Sequence, residues 1–267
     1  SNSFPLSYET ALLCCKALRH ICSVVGIRGY AVQNGVIKAC LSVAGLSDKK
    51  PTNSESLVKS YELVCTLKRE AIHTIAKILV TTNPQVLSDH LRVSSMTSLL
   101  WLARDVDASN LQQFECLLSM TNLLSCGEYE QTCFLQDKGI QTVYYLILSE
   151  HSAVRRAATE VFCNISATKE VKEFLCYQEH CKLWVSLCEE LFLEEKEKNE
   201  NEDAVQCLKR PINKNSHEYL TAKAAAGCIA VAICDAKVIK SFSNQKHFFD
   251  ILSEMLTSSD LELIHRS

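Results

Sequence analysis

Apolar residues recur at helical spacing in several separate stretches of this chain. Two are well defined, Leu111 to Leu123 and Ala153 to Ile165. In both, apolar side chains three and four residues apart alternate with polar ones, which predicts amphipathic helices. Weaker versions of the pattern run over Ala11–Val24, Arg69–Val80 and Ala222–Asp235. Between the first two stretches lies Asp137-Lys138-Gly139-Ile140, followed by Val143, Leu146, Ile147 and Leu148. Gly139 is placed to end one helix and free the chain to start another. Gln33-Asn34-Gly35-Val36-Ile37, followed by Cys40 and Leu41, repeats that turn and its second helix.

The unit is therefore a short helix, a glycine turn, a second helix, a tight turn and a third helix. Asn122 and Asn164 close two successive third helices and lie 42 residues apart. That period falls in the range of armadillo and HEAT repeats. The fold class expected is all-α: an armadillo-like, right-handed helical-repeat solenoid of about five repeats. The chain is expected to form one such solenoid over residues 1–267, with loops near 47–56 and 194–216. The second loop follows from Glu194 to Asp203, which holds six acids, two lysines and no apolar residue. A run of that kind has nothing to bury and reads as a solvated acidic insertion. Pro84 and Pro211 mark turns or helix starts. Leu261–Ser267 reads as the start of a further helix, so a longer array is expected.

Composition narrows the function classes. Seven glycines and four prolines in 267 residues are too few for the closely spaced turns of a sandwich or barrel. They also leave little for glycine-rich phosphate loops. With 28 basic and 31 acidic residues, the net charge is −3, against the usual basic balance of nucleic-acid binders. The longest apolar run, Ala224 to Cys234, is too short to span a bilayer. Neither a nucleic-acid nor a membrane partner is expected. The 15 cysteines sit mostly inside apolar helical patterns, as in Leu12-Leu13-Cys14-Cys15. They read as small core residues of a reduced, cytoplasmic protein.

The pattern Gly139-Ile140-x-x-Val143, Val154-x-Arg156-x-Ala158, Cys163-Asn164-Ile165 resembles the armadillo-repeat consensus. More specifically, two stretches resemble the UCS domain of the Unc/Cro/She myosin chaperones. One is Leu111-x-Gln113-Phe114-Glu115-x-Leu117-x-x-x-Thr121-Asn122-Leu123. The other is Arg155-Arg156-Ala157-Ala158-Thr159-Glu160-x-x-Cys163-Asn164. The close resemblance covers residues 108–176 and points to the C-terminal part of that domain. The acidic insertion departs from the animal pattern, and the cysteine-rich flanks suggest a protist member. The resemblance implies one client, the myosin motor domain, held in a groove lined by third helices. In the family, the positions matching Phe114 and Asn122 contact that client. The tetratricopeptide module through which full-length animal members reach the ninety-kilodalton heat-shock chaperone is not in this chain.

The residues themselves place a groove in the same region. Positions i, i+4 and i+8 stay near one helix face. Phe114, Leu118 and Asn122 share that spacing, as do Arg156, Glu160 and Asn164. Phe114 would anchor an apolar group, and the asparagine amides would bond the backbone of an extended peptide. The alternatives are a core phenylalanine and asparagines that merely cap helix ends. Arg155 and Arg156 read equally as groove cations or as a solvated pair, Arg156 bridging to Glu160. Lys77, with His73 and Arg69 one and two turns before it, makes that end of the groove basic or is simply a solvated face.

Other chemistry finds little support. Cys176, Cys181 and Cys188 with His180 match no common zinc spacing, and Cys-x-x-Cys is absent. No nucleophile-elbow, phosphate-loop or zincin motif is present. No enzymatic activity, metal or cofactor is expected. The second reading is a generic armadillo adaptor for another protein or peptide, of the trafficking or import kind. Against an import-type groove, Trp101 and Trp184 lie outside the asparagine-bearing helices.

Overall fold

A computed structural model describes residues 7–46, 55–199 and 214–256, with the backbone alone at 55–59 and 190–199. Every regular element among them is helical. The first six helices are α1 (Tyr8–Ile21), α2 (Arg28–Gln33), α3 (Val36–Ala44), α4 (Glu55–Leu79), α5 (Asp89–Arg104) and α6 (Asn110–Leu124). Then come α7 (Glu128–Gln136), α8 (Gly139–Ile147), α9 (Ser152–Ile165) and α10 (Lys169–Leu175). The last four are α11 (Gln178–Asn199), α12 (His217–Ala232), α13 (Ala236–Ser243) and α14 (Phe248–Leu256). The predicted triplets are present. Helices α2, α3 and α4 form one, α7, α8 and α9 another, and α10, α11 and α12 a third. In the triplet that ends with α5 and α6, the short first helix shrinks to a 3-10 turn at Pro84–Val86. Proline suits the first position of such a turn, where its missing N–H is not needed.

Two compact units divide the chain, Ser1–Thr142 and Val143–Ser267. In the first unit, the third helices α1, α4 and α6 lie side by side, with α3 and α5 packed behind them. Leu67, Ile72, Ile75, Leu79, Met96, Leu99, Leu117, Met120 and Leu123 fill the space between and are fully buried. Ser109 and Gln112 form a capping box that starts α6. It satisfies backbone donors that a helix N-terminus leaves open. In the second unit α9 packs on α12, and α11 lies against α12. Ala157, Ala158, Ala225 and Ala226 are buried on the two third helices, so their backbones approach closely. Phe162 and Trp184 close the core with rings edge to face, 4.9 Å between centres.

The structure revises three local expectations. The N-terminal part of α4 extends the predicted helix back from Arg69 to Glu55. Helix α11 continues to Asn199, six residues into the acidic run expected to be loop from Glu194. Of the expected loops, 214–216 form the turn before α12, whereas 47–54 and 200–213, with Pro211, lie outside the described residues, as does the 257–267 segment. At the 137–139 turn, the left-handed residue is Lys138, with φ 54°, rather than Gly139. Glycine is needed at 139 for a different reason: a Cβ there would stand 2.5 Å from the ring of Phe134. Gly35 does take the left-handed conformation expected of it, with φ 74°. Among the described residues, no single helix is long and apolar enough to cross a membrane.

Candidate functional site

Helix α6 buries one side and offers another. Cys116, Leu117, Ser119, Met120, Leu123 and Leu124 are buried, whereas Phe114, Leu118 and Asn122 are each half-buried. These three stand one turn apart along the helix, as their spacing requires. Asn122 is tied to the preceding repeat. Its Nδ2 donates to the carbonyls of Leu79 and Val80, both at 2.9 Å. The donors expected to meet a peptide backbone are therefore engaged at the end of α4, where a helix leaves its last carbonyls open. What Asn122 retains for a ligand is its amide oxygen.

The basic residues of α4 are neither a solvated face nor an open basic groove wall. His73 Nε2 lies 2.6 Å from Glu115 Oε2, and Lys77 Nζ lies 2.8 Å from Glu115 Oε1. His73 is 42 residues from Glu115, the repeat period itself. Burial pushes the Glu115 carboxyl up, but hydrogen bonds from His73 and Lys77 outweigh it and hold the carboxyl below its ordinary range. Arg69 Nε donates to Asp105 at 2.8 Å and a terminal nitrogen to Asp107 at 3.1 Å. Glu115 is thus the residue that sequence reasoning passed over, although it stands beside Phe114. The signal was available: an acid one repeat after a histidine and near a lysine on the previous third helix.

In the second unit, α9 carries Arg156, Glu160 and Asn164. Arg156 Nε and Glu160 Oε1 are 3.4 Å apart along the helix. Burial raises the Glu160 carboxyl above its ordinary range, against the pull of Arg156, His217 and Lys223. Asn164 is exposed, unlike the half-buried Asn122, so the two asparagines are not equivalent in environment. Arg155 is half-buried.

The cysteine–histidine group considered for zinc has other bonds. The Cys181 thiol donates to the Leu175 carbonyl at 2.6 Å, and the Cys188 thiol contacts the Ala222 carbonyl. His180 stacks on Phe174 with ring centres 3.6 Å apart. Among the described residues, no group of three or more metal-ligating side chains is placed to hold an ion. Burial raises the thiols of Cys15 and Cys181 to about 11 and those of Cys40 and Cys188 to about 12. Thiols so far from ionisation are poor nucleophiles and poor metal ligands.

No protein-family model matches the sequence. Unc-45 homolog B of Xenopus laevis is 26% identical over 203 residues, which are 74% of this chain and 19% of that protein. The human protein of the same name is 27% identical over 203 residues, with the same shares. The chain therefore spans about a fifth of the length of the curated relatives it matches. Among solved structures, UNC-45 from Drosophila melanogaster superposes with a TM-score of 0.74 at 24% identity. The superposition covers 97% of this chain and 28% of that one. A structure of the UNC-45 chaperone, described for features critical for binding and folding muscle myosin, superposes at 0.71 with 17% identity, covering 97% and 25%. A designed armadillo repeat protein superposes at 0.64 with 16% identity, covering 99% and 92%. The fold is accordingly the armadillo-type helical-repeat solenoid, and the sequence relatives are UNC-45 proteins, as the motifs implied.

Proposed function

We propose that this UNC-45 relative is a client-binding region of a myosin co-chaperone. It holds an exposed segment of the myosin motor domain and so promotes the folding and stability of the motor, without enzymatic activity of its own. Sequence kinship with unc-45 homolog B over 74% of the chain carries this reading. The local geometry supports it. Phe114 and Leu118 leave apolar surface half-open on a helix whose other apolar side chains are nearly all buried. An aromatic side chain in such a place suits the anchor role that dominates protein–protein binding energy. Asn122 adds an amide oxygen beside them, and Arg156, Glu160 and Asn164 add a polar face in the second unit. Lys77 acts at one remove, through the Glu115 contact that steadies the turn carrying Phe114. The setting is cytoplasmic, and contact with the ninety-kilodalton heat-shock chaperone belongs to a module outside this chain.

The test is binding of the 267-residue chain to purified myosin motor domain, with Phe114→Ala and Leu118→Ala compared at equal helicity. Loss of a hot-spot contact weakens binding by about thirtyfold, the equivalent of about 2 kcal/mol. Undiminished affinity in both folded variants overturns the α6 site. Absence of binding by the unaltered chain overturns the client assignment for this region and favours an adaptor for another protein.

A further inference from the structure

A cavity of about 710 Å³ opens in the first unit, where the N-terminal half of α4 meets the end of α5 and the loop after it. Tyr61 and Cys65 of α4 and Trp101 of α5 form its apolar walls. Val106 stands at the rim, 95% exposed. Lys68, itself buried, places its Nζ 4.7 Å from the centre of the Trp101 ring, so this indole already stabilises one cation.

Among the described residues, the charged groups lining the cavity are Glu62, Arg69, Arg104, Asp105 and Asp107. Both guanidiniums are engaged by the protein. Arg69 bridges Asp105 and Asp107. Arg104 donates to Thr142 Oγ1 at 2.8 Å, to the Asp137 carboxylate at 3.3 Å and to the Asp137 carbonyl. The carboxylates are less fully matched. Glu62 is exposed and makes no ion pair among the described residues. The Asp107 side chain is 75% exposed and has only one of its oxygens on Arg69. The cavity therefore presents aromatic walls, with two incompletely matched carboxylates, Glu62 and Asp107, beside the Arg69, Arg104 and Lys68 cations, and it has the volume of a ligand pocket.

We propose that this cavity binds an arginine or lysine side chain of an extended protein segment. The aliphatic stem lies along Trp101 and Tyr61, and the charged head reaches the carboxylates of Glu62 and Asp107. Long basic side chains combine an apolar stem with a cationic tip, which is the complement of these walls. The site is separate from Phe114 and Leu118, and the proposal does not rest on the myosin reading.

The probe is a fluorescein-labelled pentapeptide, Gly-Leu-Arg-Leu-Gly, and its counterpart with glutamine at the centre. Each is titrated to millimolar concentration against the whole chain by fluorescence polarisation. The arginine peptide is expected to bind at least about tenfold more tightly, with the advantage shrinking as salt rises. The E62Q/D107N double variant removes surface charge and is expected to abolish that advantage. Trp101→Phe keeps a ring for packing and is expected to weaken binding about threefold, because indole is the better cation–π partner. Phe114→Ala is expected to leave the pentapeptide affinity unchanged, which separates this site from the α6 face. Equal binding of the two peptides overturns the proposal, as does no binding of the arginine peptide or full retention of selectivity in E62Q/D107N.

Discussion

Asn122 Nδ2 stands 2.9 Å from the Leu79 carbonyl and 2.9 Å from the Val80 carbonyl, so a side chain on one third helix closes the end of the third helix before it. The bond pair spans one repeat period, 42 residues to Val80. It supplies donors for carbonyls that a helix terminus cannot satisfy within itself. Asn122→Ala should cost about 1–3 kcal/mol in urea unfolding, because the carbonyls are left without donors in a half-buried place. Asn122→Asp should fall in the same range, since a carboxylate cannot donate. A change under about 0.5 kcal/mol would show that water replaces the amide without loss.

Glu115 should govern part of the acid sensitivity of the first unit. Its carboxyl is held below the ordinary 4.5 by His73 and Lys77 despite burial. A carboxyl depressed in the folded state contributes stability that is fully present above its unfolded value. That contribution is lost as pH falls through the folded value. Unfolding free energy measured from pH 7 down to pH 2 should therefore drop more steeply in the native chain than in Glu115→Gln. At pH 7, Glu115→Ala should cost about 3 kcal/mol, because it strands the Lys77 ammonium and the His73 ring nitrogen at a poorly solvated site.

Glu160 has the opposite sign. Its carboxyl is raised by burial, so it takes up a proton more readily in the folded protein than in the unfolded chain. Stability should rise as pH falls through the folded value and level off at the unfolded one. Glu160→Gln should remove that gain and leave stability at pH 7 undiminished. A clear loss at pH 7 would mean that the Arg156 contact at 3.4 Å outweighs desolvation.

The 137–139 turn should respond in opposite directions at adjacent positions. Gly139→Ala puts a methyl group 2.5 Å from the Phe134 ring, which is fully buried and has nowhere to move. Overpacking of this kind costs about 1–3 kcal/mol. Lys138→Gly removes the crowding of a side chain at φ 54° and should be neutral or stabilising by up to about 1 kcal/mol. Thermal melts of the two variants check both.

Thiol chemistry should be sharply site-selective. Cys14 and Cys234 are exposed, whereas Cys116, Cys188 and Cys228 are buried and lifted far from ionisation by that burial. Labelling with an aromatic disulfide at pH 8 should modify the first two rapidly and the other three only on unfolding. Fast labelling of Cys228 would mean that the α9–α12 core opens locally.

Much of the architecture was legible along the chain because a helix has to place its apolar side chains at fixed intervals. Leu111–Leu123 and Ala153–Ile165 announce third helices in that way, and Gly35 marks a turn that only glycine enters freely. Lys138 and His247 take the same left-handed conformation before α8 and α14, at φ 54° and 71°, without any residue type to reveal it. The N-terminal turns of α4 were also hidden. Polar Glu55 and Ser56 read as loop, yet they begin a helix held by packing farther along.

Sequence by itself determined the helix triplet, its period of 42 residues, the likeness to UCS proteins and the candidate face of Phe114, Leu118 and Asn122. Each of these rests on spacing within one segment, or on residue identities compared between segments. Only the tertiary structure decided which partners those residues meet. It gave Asn122 to the carbonyls of α4, paired His73 and Lys77 with Glu115, and brought Trp101, Tyr61 and Glu62 around one cavity. Hydrogen bonds and ion pairs act over about 3 Å between helices that are remote in the chain, and hydrophobic periodicity carries no record of which polar groups those helices bring together.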